Sequence, residues 1–166
     1  MPKSSSAIVS GKAKSSSRLT AKNAGKQPFL RILRELAQTY QAFCTFDEPH
    51  IRSLGLTSPQ FDVIATLGNT DGMMMQELAQ KTLVTKGTLT GIVDRLEGKG
   101  LVRREVPSHN RRCFIVKLTA TGEALFQRVF PAHVAYLKNR FDSLQDEELE
   151  EICLALQKLR SVFEDE

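Results

Sequence analysis

The sequence predicts a mostly α-helical chain with one small β-hairpin, an α+β arrangement dominated by helices. Three observations predict it. Apolar residues recur at spacings of three and four over most of the chain beyond Phe29, the mark of amphipathic helices. The period changes to two only in "LVRREV" and "CFIVKL". A length of 166 residues with 41% hydrophobic content suits one domain with a real core, and a second independent domain is not expected.

The elements follow in order. Residues 1–28 carry six Lys or Arg and no acid, with Ser and Gly in place of large apolar groups. Such a stretch cannot offset the entropy of folding, so it reads as a disordered basic tail. Being Ser-rich and acid-free it also shares the composition of an organelle transit peptide, without the amphipathic arginine pattern. Phe29, Leu30, Leu33, Leu36, Ala37, Tyr40, Phe43 and Cys44 then line one side of a long helix. It is expected to stop near Asp47 to Pro49, because Pro49 disfavours helical geometry in the residue before it.

Ser58 and Pro59 read as N-cap and first-turn proline of the next helix, with Phe61, Ile64, Ala65 and Leu67 on one face up to Gly68. After "GNTDG" and an apolar "MMM", a short helix from about Gln76 to Thr82 buries Leu78 and Ala79. Another begins at Thr85, buries Leu89, Ile92, Val93 and Leu96, and closes at Gly100. The two β-rich runs are joined by "PSHNRR", whose Pro107, Ser108 and Asn110 supply turn chemistry for a hairpin with a basic tip.

Thr119 caps a long helix to about Phe141 through Phe126, Val129, Phe130, Val134 and Leu137, with a kink expected at Pro131. In the last helix Leu149, Ile152, Leu156, Leu159 and Phe163 step by three and four, and Asp146, Glu147 and Glu148 complement its N-terminal dipole. That seam suits a helix of a second copy; packing within its own chain is the other reading, and the two are compatible.

The net charge of +4 conceals a segregation. Residues 81–117 hold nine bases against three acids, a net +6 equal to that of the tail, and the rest of the chain is net −8. Basic charge gathered into one stretch points to a polyanion, with nucleic acid as the first candidate. His50, His109 and His133 are isolated, and no HExxH, GxSxG or phosphate-binding Gly-Lys loop occurs, so an enzyme is not expected. Cys44, Cys113 and Cys153 form no CxxC pair, which argues against a disulfide framework and a zinc site and leaves buried, inert thiols as the expectation. No cofactor or metal is implied. The sequence holds no apolar run long enough to span a bilayer and no secretory segment, so no membrane partner and a cytoplasmic location are expected.

Three helices followed by a basic hairpin make a winged helix-turn-helix over residues 57–119, with the helix from Thr85 in the major groove of double-stranded DNA. Thr85, Lys86, Thr88 and Thr90 offer hydroxyls and a cation at that helix's N-terminus, and Arg95 extends the candidate surface. Gly87 and Gly91 lie away from the apolar stripe, although each costs roughly 0.5–1 kcal/mol against alanine in a helix interior. Either they let the backbone approach DNA closely, or they let this helix pack closely on its predecessor.

These residues resemble the MarR (multiple-antibiotic-resistance regulator) family of bacterial winged-helix regulators. "LTSPQFDVIATL", "GTLTGIVDRLEGKGLVRR" and "NRRCFIVKLTATG" carry the resemblance, which runs from about Phe29 to Phe163 within a single domain, 29–166. The last is the most specific: the family's wing has Asp, any residue, Arg, five residues, then Leu-Thr. Arg112, Leu118 and Thr119 match, while Asn110 replaces the Asp, and Arg111 with His109 beside it is placed to compensate.

The resemblance implies that Arg112 enters the minor groove. It also implies a homodimer, bacterial and nucleoid-associated, on a pseudo-palindromic operator with half-sites roughly 34–36 Å apart. The helices at 29–47 and 120–166 would form the interface, with Leu33, Leu149, Ile152, Leu156, Leu159 and Phe163 in it. Family members commonly respond to small phenolic or aromatic effectors or to cysteine oxidation. Tyr40, Cys44 and His50 lie where such a crevice would be, and no cysteine stands near Leu33, where the peroxide-sensing branch places one. A non-specific architectural DNA binder is the alternative function.

Overall fold

The structure, a computed structural model, describes residues 19–106 and 114–164, with the side chain of Lys86 outside that description. Its contacts divide the chain into two compact units, one up to Ala42 and one from Phe43. In the first, a short helix α1 (Ala21–Ala24) opens with the Asn23 Oδ1 accepting the Thr20 N–H at 2.7 Å. Helix α2 (Phe29–Ser53) follows, and Phe29, Leu30, Ile32, Leu33 and Leu36 on its first half are exposed.

Helix α2 does not stop between Asp47 and Pro49. It runs through Pro49 to Ser53, because Ile51 is buried in the core and the burial of such a side chain, about 1.5–3 kcal/mol, offsets the cost of the proline. The end is set by Gly55 at φ +83°: Gly55 N–H bonds Arg52 O and Leu56 N–H bonds Ile51 O, closing a Schellman turn.

The second unit continues with α3 (Ser58–Leu67), β1 (Met73–Met74), α4 (Met75–Lys81), α5 (Lys86–Gly98), β2 (Val102–Glu105), β3 (Ile115–Leu118), α6 (Ala120–Phe141) and α7 (Asp146–Ser161). The N-cap of α3 is Thr57, one residue before the expected Ser58, since the Gln60 Oε1 reaches back to the Thr57 N–H at 3.2 Å. The apolar "MMM" is no mere linker. Met73 and Met74 pair antiparallel with Val116 and Ile115, turning the expected hairpin into a three-stranded sheet of order β1-β3-β2. Gly72 permits this approach: at φ +89°, a Cβ there would lie 2.6 Å from Val116 O.

The core of this unit joins Val63, Ile64 and Leu67 of α3, Leu78 of α4, Leu89, Ile92, Val93 and Leu96 of α5, Val116 of β3, and Phe126 and Val129 of α6. The predicted stripe of α5 is therefore the one that is buried. Gly100, at φ +68°, closes α5 through Gly100 N–H to Glu97 O and Leu101 N–H to Leu96 O. The Thr119 Oγ1 accepts the Gly122 N–H at 3.0 Å and donates to Gly100 O at 2.6 Å, so the cap of α6 also fastens the end of α5. Helix α6 runs unbroken through Pro131 to Phe141.

Helix α7 buries no residue. Ile152, Leu156 and Phe163 are 47%, 53% and 63% exposed, so its seam is not covered by its own chain. The expectation of buried cysteines fails with it: Cys153 is exposed on α7 and Cys44 is half-buried on α2, while Cys113 lies outside the described residues.

Candidate nucleic-acid interface

At 100° per residue, the side of α5 opposite Leu89, Ile92, Val93 and Leu96 is made by Gly87, Gly91, Asp94 and Gly98. A Cβ added at Gly87 or Gly91 would meet nothing within 4 Å, and neither residue has positive φ. Close packing on the preceding helix therefore does not explain the pair. Thr85, Thr88, Thr90 and Arg95 flank this bare strip, all exposed, and the Thr85 and Thr88 hydroxyls hydrogen-bond at 2.9 Å. The side chain of Lys86, and His109, Arg111 and Arg112 at the wing tip, lie outside the described residues.

The turn before α5 is fixed from α3. Asp62 Oδ2 accepts the Leu83 N–H at 2.7 Å, and burial raises the Asp62 carboxyl above its ordinary value, against the lowering effect of that bond.

The other end of α5 is tied to the wing by a network that local sequence patterns did not single out. Arg104 on β2 reaches Asp94 at 2.5 Å through Nη2 and Glu97 through Nη1. Its N–H also donates to Glu97 Oε1 at 3.2 Å. The Asp94 bond leads the rise of the guanidinium's already high pKa, with Glu97 adding to it. Asp94, on the strip itself, and Glu97 beside it are thereby neutralised in part. A signal for this was present: period two places Arg104 on the same side as the buried Val102, facing acids three apart on a helix. Further along the wing, Glu105 is bonded by Lys117 and Arg103, which hold its carboxyl below its ordinary value.

The predicted effector residues Tyr40, Cys44 and His50 all lie on α2. Tyr40 belongs to the first unit and is exposed. Cys44 is a half-buried free thiol, and among the described residues no His, Cys, Asp and Glu group could hold a metal ion. His50 enters a polar cluster that the sequence did not reveal. Its Nδ1 lies 3.0 Å from His133 Nδ1, and its ring stacks on Tyr136 with centroids 3.9 Å apart. Buried Asp47 places Oδ1 3.0 Å from His133 Nε2, off the line of a hydrogen bond. Burial lowers the His133 pKa, more than Asp47 restores it, with the neighbouring His50 lowering it further.

The fold and this interface have known counterparts. The MarR family profile matches residues 56–114, which span α3 to the edge of β3. The chain is 29% identical over 129 residues to the HTH-type transcriptional regulator MhqR of Bacillus subtilis, covering 78% of this chain and 88% of that protein. The crystal structure of AbsC, a MarR family transcriptional regulator from Streptomyces coelicolor, superposes with a TM-score of 0.73 at 27% identity, covering 89% and 97% of the two chains. NadR, solved with 4-hydroxyphenylacetate, is 30% identical with a TM-score of 0.65, covering 77% of this chain and 91% of its own. The chain belongs to the MarR family.

MarR proteins are DNA-binding transcriptional regulators, and the residues of this one that the family profile matches, 56–114, run from the turn before α3 into the wing. Among the described residues no helix is long and apolar enough to cross a membrane.

Proposed function

We propose that this MarR protein is a homodimeric transcriptional regulator that binds a pseudo-palindromic operator through α5 and the wing, in the bacterial cytoplasm. The observation that carries the reading is the solvent side of α5. It is bare at Gly87 and Gly91, ringed by Thr85, Thr88, Thr90 and Arg95, and backed by a fully buried stripe that fixes its orientation. Such a surface lets a helix seat deeply in a major groove while hydroxyls and cations meet phosphates and base edges. Lys86, His109, Arg111 and Arg112 complete the contact set in this reading.

The dimer reading is supported by the seam of Leu149, Ile152, Leu156, Leu159 and Phe163, half-buried at Leu149 and Leu159 and exposed at the other three, and by the exposed apolar face that includes Leu33. The crystal structure of NadR with 4-hydroxyphenylacetate supports a small aromatic effector as the signal, with an oxidant as the other class.

The test is selection of duplexes from random-sequence DNA by the full chain, followed by titration of the winner against a scrambled duplex over a salt series. Operator binding predicts a preference of about 10³ or more. Equal and steeply salt-dependent binding to both duplexes would instead make the protein an architectural DNA binder.

A further inference from the structure

We propose that Leu83 reads sequence, by packing its side chain against the 5-methyl group of a thymine at the edge of each half-site. This rests on the reading that the α5 face meets DNA. Leu83 is 93% exposed, more than any other large hydrophobic residue described. It is nevertheless rigidly placed. Its N–H bonds Asp62 Oδ2 at 2.7 Å; before it, Thr82 is buried and its Oγ1 donates to Leu78 O at 2.7 Å; after it, Val84 packs against the core. A leucine whose backbone is pinned on both sides while its side chain stands free is displayed, not merely left over.

Its position gives the display a target. Leu83 lies two residues ahead of Thr85, the N-cap of α5, and N-terminal residues of a recognition helix are those that reach base edges. The neighbouring strip carries glycines and threonines, so Leu83 is the large apolar group on this part of the surface among the described residues. Phosphates offer such a group nothing. The apolar feature of the major groove is the thymine methyl, and contact between it and an aliphatic side chain is a recognised mode of base reading. Glycines at 87 and 91 lower the barrier to the close seating this needs.

The experiment uses the full chain and the duplex it selects from random DNA, remade with deoxyuridine replacing thymidine at one position at a time. Leu83→Ala is expected to lose about fivefold in affinity for the thymidine duplex, the scale of one or two methyl groups buried. Its salt slope should match wild type, because no phosphate contact is removed. Leu83→Met, which keeps the apolar reach, should retain most of the affinity. Uracil at one or two positions per half-site should weaken wild type by a similar factor and leave Leu83→Ala unaffected. Equal uracil penalties in both proteins, or unchanged affinity of Leu83→Ala, would overturn the assignment. If the wild-type chain enriches no sequence, the assignment falls together with the operator reading, and the failed enrichment locates the fault in the latter.

Discussion

Replacing Gly87 and Gly91 by alanine should stabilise the protein and weaken its grip on DNA, two effects of opposite sign from one change. Neither position has a neighbour within 4 Å of an added Cβ, and neither has positive φ, so alanine fits without strain. Gly91 sits within α5, where the exchange is worth about 0.5–1 kcal/mol; Gly87 is its second residue, where about half of that is expected. The pair should raise the melting temperature by about 2–4 °C, measured at fixed protomer concentration because the proposed dimer would couple stability to it. The same methyl groups would stand between the α5 backbone and the groove. Affinity for the selected duplex should fall about tenfold or more, equivalent to about 1.4 kcal/mol. A fall in melting temperature would show that the glycines accommodate a packing partner. A rise with unchanged affinity would show that this face does not approach DNA, and either result refutes the reasoning.

Gly122→Ala should do the reverse of those substitutions, since its Cβ would lie 1.9 Å from Leu101 O, which also accepts the Thr119 N–H; a loss of roughly 2–4 kcal/mol in urea unfolding is expected. Arg104→Met should cost about 1 kcal/mol or less in stability, because Asp94 is 57% exposed and solvent screens the pair. It should weaken DNA binding about tenfold at low salt by unmasking Asp94 and Glu97, and adding Asp94→Asn should recover part of that loss. The pKa of His133 is held below its ordinary 6.5 by burial, so between that value and the depressed one the unfolded chain binds more protons than the folded protein. This contribution to stability is present above pH 6.5 and is lost as pH falls through the window; a His133→Gln variant should show a flatter midpoint-versus-pH curve there. Leu156→Glu, at the centre of the exposed α7 seam, should yield monomers in sedimentation while leaving the helical signal of the winged lobe in place.

The parts of the fold that were legible are those whose cause is local. The stripe Leu89, Ile92, Val93 and Leu96, the cap at Thr119 and the glycine stop at Gly100 each follow from spacing or from one residue's chemistry, and the structure has all three. The misreadings have non-local causes. Pro49 stops a helix by its own geometry, but burial of Ile51 two residues later carries α2 past it. Met73 and Met74 are too short a run to show a period; their strand exists because β3 offers an edge and Gly72 allows the approach. His50 and His133 meet across 83 residues, and no local pattern could announce that.

The division between finished and unfinished surfaces in this chain follows from the same physics. The winged lobe closes a core with the first half of α6: Val63, Ile64, Leu78, Val93, Leu96, Val116 and Val129 are wholly buried within one unit. Helix α7 has 16 residues and buries none, and an isolated helix of that length is marginal in water however well its dipole and i,i+4 charges are arranged. Its order must therefore come from apolar contact, and the exposed seam is where that contact can be made. A second copy supplies a matching seam at no further cost in sequence, since an isologous interface uses each patch twice. On that reading α7 is ordered by the event that sets the spacing of two α5 helices. A substitution that loosens the seam should then weaken operator binding without touching a single residue of the DNA-facing strip.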